Sequence, residues 1–248
     1  MSLLIISDTH IQGTDDPLYA SLLNLIKTRA QPEDTVVFAG DLFDHLVSKS
    51  IYIAQYSDFF SALEEGIQKG IRFHYIEGNH DFHLDSAFRN LKKVHLHKND
   101  VSLEVGGRKF LIAHGDTVDK KDYGYRVLRA FFRSPVMKFF IYTSPGKWFT
   151  KFGEFASNLS RNKKPLLPAD FPIEKRENLR KIYRSHAAEK LTLGFDYVVM
   201  GHCHDLDEMS FSIGGRIGQY INVGYPRAHG SFLSWSTGDE KIQRERLP

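Results

Sequence analysis

At 248 residues, with 33 basic and 30 acidic side chains and a formal net charge of +3, the chain suits one large domain, or one domain with an insertion, around a full core. Its 42% hydrophobic and 25% charged content excludes a disordered or fibrous polypeptide, and the mild charge permits an anionic partner without demanding one. The single cysteine, Cys203, excludes an internal disulfide framework and points to a reducing compartment.

Residues 3–6 form a continuous apolar run ending in Ser7 and Asp8, the pattern of a strand buried on both faces. No basic segment precedes this run and it is too short for an export signal, so a cytoplasmic location is expected. Leu18, Leu22, Leu23, Leu25 and Ile26 then recur at helical spacing before Pro32. A second buried strand over 35–38 ends in Gly40 and Asp41, helical spacing returns over 51–67 and closes at Gly70, and a third strand over 71–76 delivers Asn79 and His80. This alternation reads as parallel βαβ units, whose ligands gather beyond the carboxyl ends of the strands.

Residues 101–105 and 108–113, split by Gly106 and Gly107, read as a β-hairpin through a primed turn whose second arm ends at His114. From 117 to 184 the pattern becomes amphipathic helices interrupted at Pro135, Pro145, Pro165, Pro168 and Pro172, an insertion between core segments 1–116 and 185–248. Strands resume at 197–200, ending at His202, and at 210–213, 220–223, 231–235 and near Ile242. No apolar run reaches the roughly 18 to 20 residues of a membrane span.

Asp8 with His10, then Asp41, Asn79, His114, and His202 with His204 are donors that each follow a strand-like run. An Asp and a His two residues apart in extended backbone share a face and can grip one cation, and His202 with His204 repeats the spacing. Asp41 has two oxygens and can bridge two ions. Mixed Asp, His and Asn ligation suits manganese first, with iron or zinc as alternatives, over the all-oxygen shell of calcium. Singly, each residue has an ordinary reading: Asp8 and Asp41 as helix caps, His114 and His202 as core histidines, Asn79 as part of a turn. Their recurrence at one strand end after another points to a two-cation site.

Alternation turns the Cys203 thiol away from the donors on either side of it. His95 and His97 read as an exposed strand face; His45, His74, His83, His186 and His229 as structural or surface. Asp44, Asp116 and Asn222 read as acceptors that orient ligating histidines.

The segments Ser7-Asp8-Thr9-His10, Gly40-Asp41, Gly78-Asn79-His80-Asp81, His114-Gly115-Asp116 and Gly201-His202-Cys203-His204 resemble, in order, the five motifs of the calcineurin-like metallophosphoesterases. The resemblance implies an αββα sandwich of two mixed β-sheets flanked by helices. It implies two divalent ions, one held by Asp8, His10 and His204 and the other by Asn79, His114 and His202, with Asp41 between them. It also gives His80 and Asp81 catalytic roles, with His80 approaching the substrate phosphate. Two such ions would lower the pKa of a bridging water for in-line attack, while His80 donates to the charge building on phosphoryl or leaving oxygen.

Within the insertion, Lys120, Lys121, Arg126, Arg129, Arg133, Lys138, Lys147 and Lys151 face only Asp119 and Asp122, among aromatic pairs such as Phe131 with Phe132. This reads as a small helical subdomain with a solvated basic face, or as an element for a lipid or the anionic surface of a membrane through 117–155. Nucleic acid is disfavoured, because stacking platforms use a few exposed rings on sheets. His114 to Thr117 with Asp122, Tyr125, Arg129 and Pro135 is similar to the UDP-2,3-diacylglucosamine pyrophosphohydrolase family of lipid A biosynthesis. That resemblance implies that 117–184 is a helical lid over acyl chains, that Asp122, Tyr125 and Arg129 touch substrate, and that the protein is peripheral on the inner membrane. The family's best-known branch carries Arg at the position of His80. Competing expectations are a soluble metallophosphoesterase for cyclic nucleotide, nucleic acid or phosphoprotein, and a scaffold without catalysis, which would lack some of the donors.

Overall fold

The computed structural model describes residues 1–144 and 170–248. Pro145, Lys147, Lys151, Pro165 and Pro168, all part of the expected insertion, lie outside the described residues.

The chain opens with β1 (Ser2–Ile6), helix α1 (Pro17–Asn24), a π-helical turn (Leu25–Arg29) and β2 (Thr35–Phe38). Asp16 starts α1 by accepting the Leu18 N–H, and Pro17 fits the first turn because it has no N–H to leave unpaired. The single helix expected over 51–67 is two, α2 (Ser50–Gln55) and α3 (Ser57–Gln68). The break is at Tyr56 (φ −103°, ψ 32°), whose ring is buried against Phe43 with centroids 4.3 Å apart. Next come β3 (Arg72–Ile76), β4 (Val94–His97) and the hairpin β5 (Val101–Val105) and β6 (Arg108–Ala113). Gly106 and Gly107 have φ of 55° and 75°, as the primed turn requires. Helices α4 (Tyr123–Phe132), α5 (Pro135–Thr143) and α6 (Ile173–Thr192) precede β7 (Tyr197–Met200), β8 (Glu208–Ile213), β9 (Arg216–Asn222), α7 (Pro226–His229), β10 (Ser231–Ser236) and β11 (Gln243–Arg246).

Two mixed sheets result, as expected: one ordered β11-β10-β1-β2-β3-β4, the other β5-β6-β7-β9-β8. In the first, β1 to β4 run parallel with Ile6 opposite Phe38 and Phe38 opposite Tyr75, so their carboxyl ends are level. In the second, β6, β7 and β9 run parallel, with Ala113 opposite Met200 and Met200 opposite Asn222. Alternation along β1 sends Leu3 and Ile5 into the core between the sheets and Leu4 and Ile6 into the core under α1 and α3. All four are at most 1% exposed, each contributing roughly 1.5–3 kcal/mol. Helix α6 closes the other side: Tyr183, Ala187 and Leu191 pack on Leu111, Val198, Met200 and Tyr220. The layers are therefore helix, sheet, sheet, helix. Helix α6 runs unbroken through residue 184, from the segment expected as insertion into the core. No helix among the described residues is long and apolar enough to cross a membrane.

Candidate metal centre

The loops after β1, β2 and β3 carry Asp8, His10, Asp41 and Asn79; those after β6 and β7 carry His114, His202 and His204. Donor atoms of Asp8, His10 and His204 lie within 4.8 Å of one another, as do those of His10, Asp41 and His80, and of Asp41, His114 and His202. His10 Nε2 is 3.2 Å from His204 Nε2, and His204 Nε2 is 3.4 Å from Asp8 Oδ1. Asp41 Oδ2 stands between the groups, 3.9 Å from His10 Nε2 and 3.4 Å from His114 Nε2. Asn79 Oδ1 is 3.2 Å from His114 Nε2. All seven donors read from the sequence thus converge.

The local geometry that brings them there differs from the extended backbone expected. Asp8, His10, Asp41, His202 and His204 have φ of 54°, 45°, 52°, 66° and 56°, left-handed values that a side chain adopts only when its surroundings hold it. Those surroundings are visible. Asp8 N–H donates to Gly40 O at 3.0 Å and His10 N–H to Asp41 O at 3.0 Å, lacing the first loop to the second. The His202 N–H donates to Asp8, and Asn222 Nδ2 donates to Gly201 O at 3.0 Å. Gly78 and Gly201 must be glycine because a Cβ would collide with the carboxylates of Asp41 and Asp8.

Asp81, for which the resemblance implies a catalytic role, braces the surrounding loops. It is fully buried, and its oxygens accept from Asp41 N (3.0 Å), Leu42 N (2.9 Å), Gly78 N (2.6 Å) and the Tyr75 hydroxyl (2.6 Å). Burial, then the charge of Asp41, pushes its pKa up to about 7. His80 remains at the cavity with Nδ1 2.9 Å from the Asp44 carbonyl, so Nδ1–H donates there and Nε2 is the other ring nitrogen. The Asp44 carboxylate also stands 3.9 Å from both His80 Nδ1 and His10 Nδ1. Asn222 bonds the loop backbone and Cys203 Sγ (3.1 Å), not a histidine ring. His114 Nδ1 is oriented by Ala39 O at 3.0 Å.

Burial, followed by the neighbouring His80, pushes His10 down to about 3. Burial and then His114 push His202 down to about 4, so both rings are neutral and offer lone pairs. Burial opposes a charge on His114 as well, yet the Asp41 carboxylate overcomes it and lifts that ring to about 10. A proton there sits where a cation would, and metal binding would release it. Burial also opposes the charge of Asp8 and Asp41, but His204 beside the first and His114 beside the second hold both below the ordinary carboxylate value. Buried carboxylates among imidazoles with facing nitrogens fit a pair of divalent ions.

The centre opens into a cavity of about 480 Å³. One wall is α6, whose Lys175, Asn178, Leu179, Ile182 and Tyr183 recur at helical spacing and grade from polar to apolar. Tyr225 stacks on His204 with ring centroids 4.4 Å apart, and Arg227 donates to His10 O at 2.9 Å and Asp16 at 2.6 Å. None of these was read from the sequence; the recurrence at 175, 178, 179, 182 and 183 was the available signal. Of the three expected substrate contacts, Asp122 and Tyr125 line the cavity and Arg129 does not. Asp122 caps α4 by accepting from Tyr125 N at 2.9 Å, while the Tyr125 hydroxyl (2.6 Å) and Arg129 Nε (2.5 Å) both donate to Asp116. Arg133 donates to Glu77 Oε2 (3.0 Å) and Gly78 O (2.9 Å), and Lys138 pairs with Asp85 at 3.1 Å. Part of the basic face of the insertion is therefore engaged within the protein. Cys203 lies in no candidate ligand group among the described residues, although it lines the cavity.

Residues 1–206 match the family model described as calcineurin-like phosphoesterase. The chain is 30% identical over 135 residues to the UDP-2,3-diacylglucosamine hydrolase of Enterobacter sp. (strain 638), covering 54% of this chain and 56% of that protein. It is 31% identical, over the same shares, to the protein of that name from Photorhabdus laumondii. The chain thus spans about half the length of these curated relatives. A solved structure described as a novel archaeal phosphodiesterase aligns at a TM-score of 0.46 with 14% identity, covering 99% of each chain.

Proposed function

This chain belongs to the calcineurin-like phosphoesterase family, whose members bind a divalent metal pair, and from that premise we propose that it is a metal-dependent hydrolase. Its proposed substrate is a nucleotide-linked acylated sugar, UDP-2,3-diacylglucosamine, cleaved at the diphosphate to UMP and 2,3-diacylglucosamine 1-phosphate. The relatives matched over about half their length carry a name of that kind. The observation that supports an acylated substrate is the exposed apolar surface of α4 and α5, of which α4 also contributes Tyr125 to the cavity. Tyr123, Val127 and Phe131 on α4 are 73%, 71% and 52% exposed, and Val136 and Phe139 on α5 are 71% and 69% exposed. An acyl chain covering such surface gains about 0.8 kcal/mol per methylene, and Lys120, Lys121 and Arg126 add exposed cations that suit an anionic membrane surface. On this reading residues 117–184 act as the lid and the protein works in the cytoplasm at the inner membrane.

Asp8, His10 and His204 would hold one ion and Asn79, His114 and His202 the other, with Asp41 between them; manganese suits these donors. When bound, the ions neutralise phosphoryl oxygens and lower the pKa of the attacking water. His80, with its Nδ1–H fixed on the Asp44 carbonyl, turns Nε2 toward the phosphoryl and leaving oxygens. The attacking water gives up a proton to solvent as its oxygen bonds to phosphorus, the bridging P–O bond breaks, and the leaving phosphate keeps the electron pair. The wall of α6 supplies polar contact at Asn178 and apolar contact at Leu179 and Ile182.

Mass spectrometry of the products decides the reading. Purified protein with manganese is expected to release UMP from the lipid-linked substrate far faster than it cleaves UDP-glucose or bis(p-nitrophenyl) phosphate. Equal rates on the three would remove the acyl-chain part, and no metal-stimulated turnover of any would remove the hydrolase.

A further inference from the structure

Helix α6 has a second face. Arg176, Arg180 and Arg184, one turn apart, meet Asp205 and Asp207, which follow His204 in the chain. Asp205 is 3% exposed and both its oxygens are taken: Arg180 Nε donates to Oδ2 at 2.5 Å and Arg180 Nη2 to Oδ1 at 3.1 Å, while Arg176 Nη2 reaches Oδ1 at 2.9 Å. Arg184 makes the next rung, to Asp207 Oδ2 at 3.0 Å and Oδ1 at 2.5 Å. A two-pronged arginine fixes a carboxylate in direction as well as distance.

The location of the first rung matters. His202 and His204 hold left-handed backbone, a conformation that persists only where neighbours constrain it. Upstream constraints on this loop are the Asp8 carboxylate on His202 N–H and Asn222 on Gly201 O. Downstream, the residue next to His204 is Asp205, whose fork with Arg180 fixes that end of the loop against α6. The same turns of α6 present Leu179 and Ile182 to the cavity, so the fork ties the cavity wall to the ligand loop.

We propose that Arg180, through its fork with Asp205, is a positioning residue for His204 and so for the cation site of Asp8, His10 and His204. This rests on the metal-centre reading above. Metal-free protein titrated with manganese chloride, with free Mn(II) counted by electron paramagnetic resonance, tests it without reference to turnover. Wild type is expected to bind two ions per chain. In Arg180→Met one of the two steps weakens by about tenfold or more, the range for an outer partner of a ligand, while the other is unchanged. Arg184→Met, which removes the rung one turn further from His204, leaves both steps as in wild type. Arg180→Lys, the milder replacement should Arg180→Met fail to fold by circular dichroism, keeps the charge but not the fork and weakens the same single step. Wild-type isotherms for the Arg180 variants, or equal weakening by Arg184→Met, overturn the positioning role. Absence of manganese binding by wild type would instead remove the metal-centre reading itself.

Discussion

The amide of His202 lies 3.0 Å from both carboxylate oxygens of Asp8, although the two residues come from different sheets. Asp8 thereby shapes the loop that presents the two histidines while facing His204 Nε2 as a candidate ligand itself. Asp8→Asn is expected to lose one of the two manganese steps. Measured in chelator, where metal plays no part, its urea denaturation should still show a loss of about 1–3 kcal/mol, the cost of weakening a buried charged acceptor. Wild-type stability in chelator would mean that Asp8 has no bracing role.

Asp81 and Tyr75 should separate along the same lines. Tyr75→Phe removes one hydroxyl from a carboxylate that keeps three N–H donors, and about 1 kcal/mol of stability is expected to go with metal binding retained. Asp81→Ala strands those buried N–H groups, so a loss of more than about 3 kcal/mol is expected, with Asp41 shifted and turnover lost. Equal denaturation midpoints for the two variants would contradict the scaffold role.

His80→Ala is expected to keep both ions by elemental analysis and lose about 10²- to 10⁴-fold in kcat, the usual range for a general acid. Lost metal in this variant would make His80 a ligand, which its closeness to His10 and Asp41 allows geometrically.

Stability at low pH should depend on Glu245 at the sheet edge. Arg29 meets it with two donors, at 3.0 and 3.2 Å, and this pairing, against partial burial, holds the carboxyl below its ordinary 4.5. A lowered folded value means the contribution is complete above the unfolded pKa and is lost as pH falls through the folded one. The pair is about one-third exposed, so solvent screening keeps it under about 1 kcal/mol. Glu245→Gln should lower the melting midpoint near pH 7 slightly and make the fall below pH 4.5 shallower. Parallel midpoint curves for the two proteins would exclude the linkage.

Strands buried on both faces are nearly unbroken apolar runs, which is why β1, β2 and β7 were legible to within a residue or so, together with the donors just past their ends. The Gly106-Gly107 turn was legible because few residue pairs accept two positive φ values. Tyr56 was not: the α2–α3 break depends on Phe43, a partner distant in sequence. The left-handed backbone at Asp8 and His204 is likewise imposed by loops from elsewhere, so side-chain spacing alone suggested extended chain. The bracing by Asp81 was not legible, because two of its donors, the Asp41 and Leu42 amides, come from the loop after β2, about forty residues away in the chain. The arginines at 176, 180 and 184 and the aspartates at 205 and 207 had a visible period, but nothing local says that the two sets meet.

Neither sheet owns a complete set of donors: Asp8, His10, Asp41 and Asn79 follow strands of one, His114, His202 and His204 strands of the other. Bound cations would act as rivets across the seam of the sandwich, and their free energy of binding would be shared between its halves. Stripping them should let the mouth gape while the apolar middle, Leu3, Ile5, Phe110 and Val199, stays shut. Amide exchange would then quicken first in the loops at that rim and last in the strands behind it.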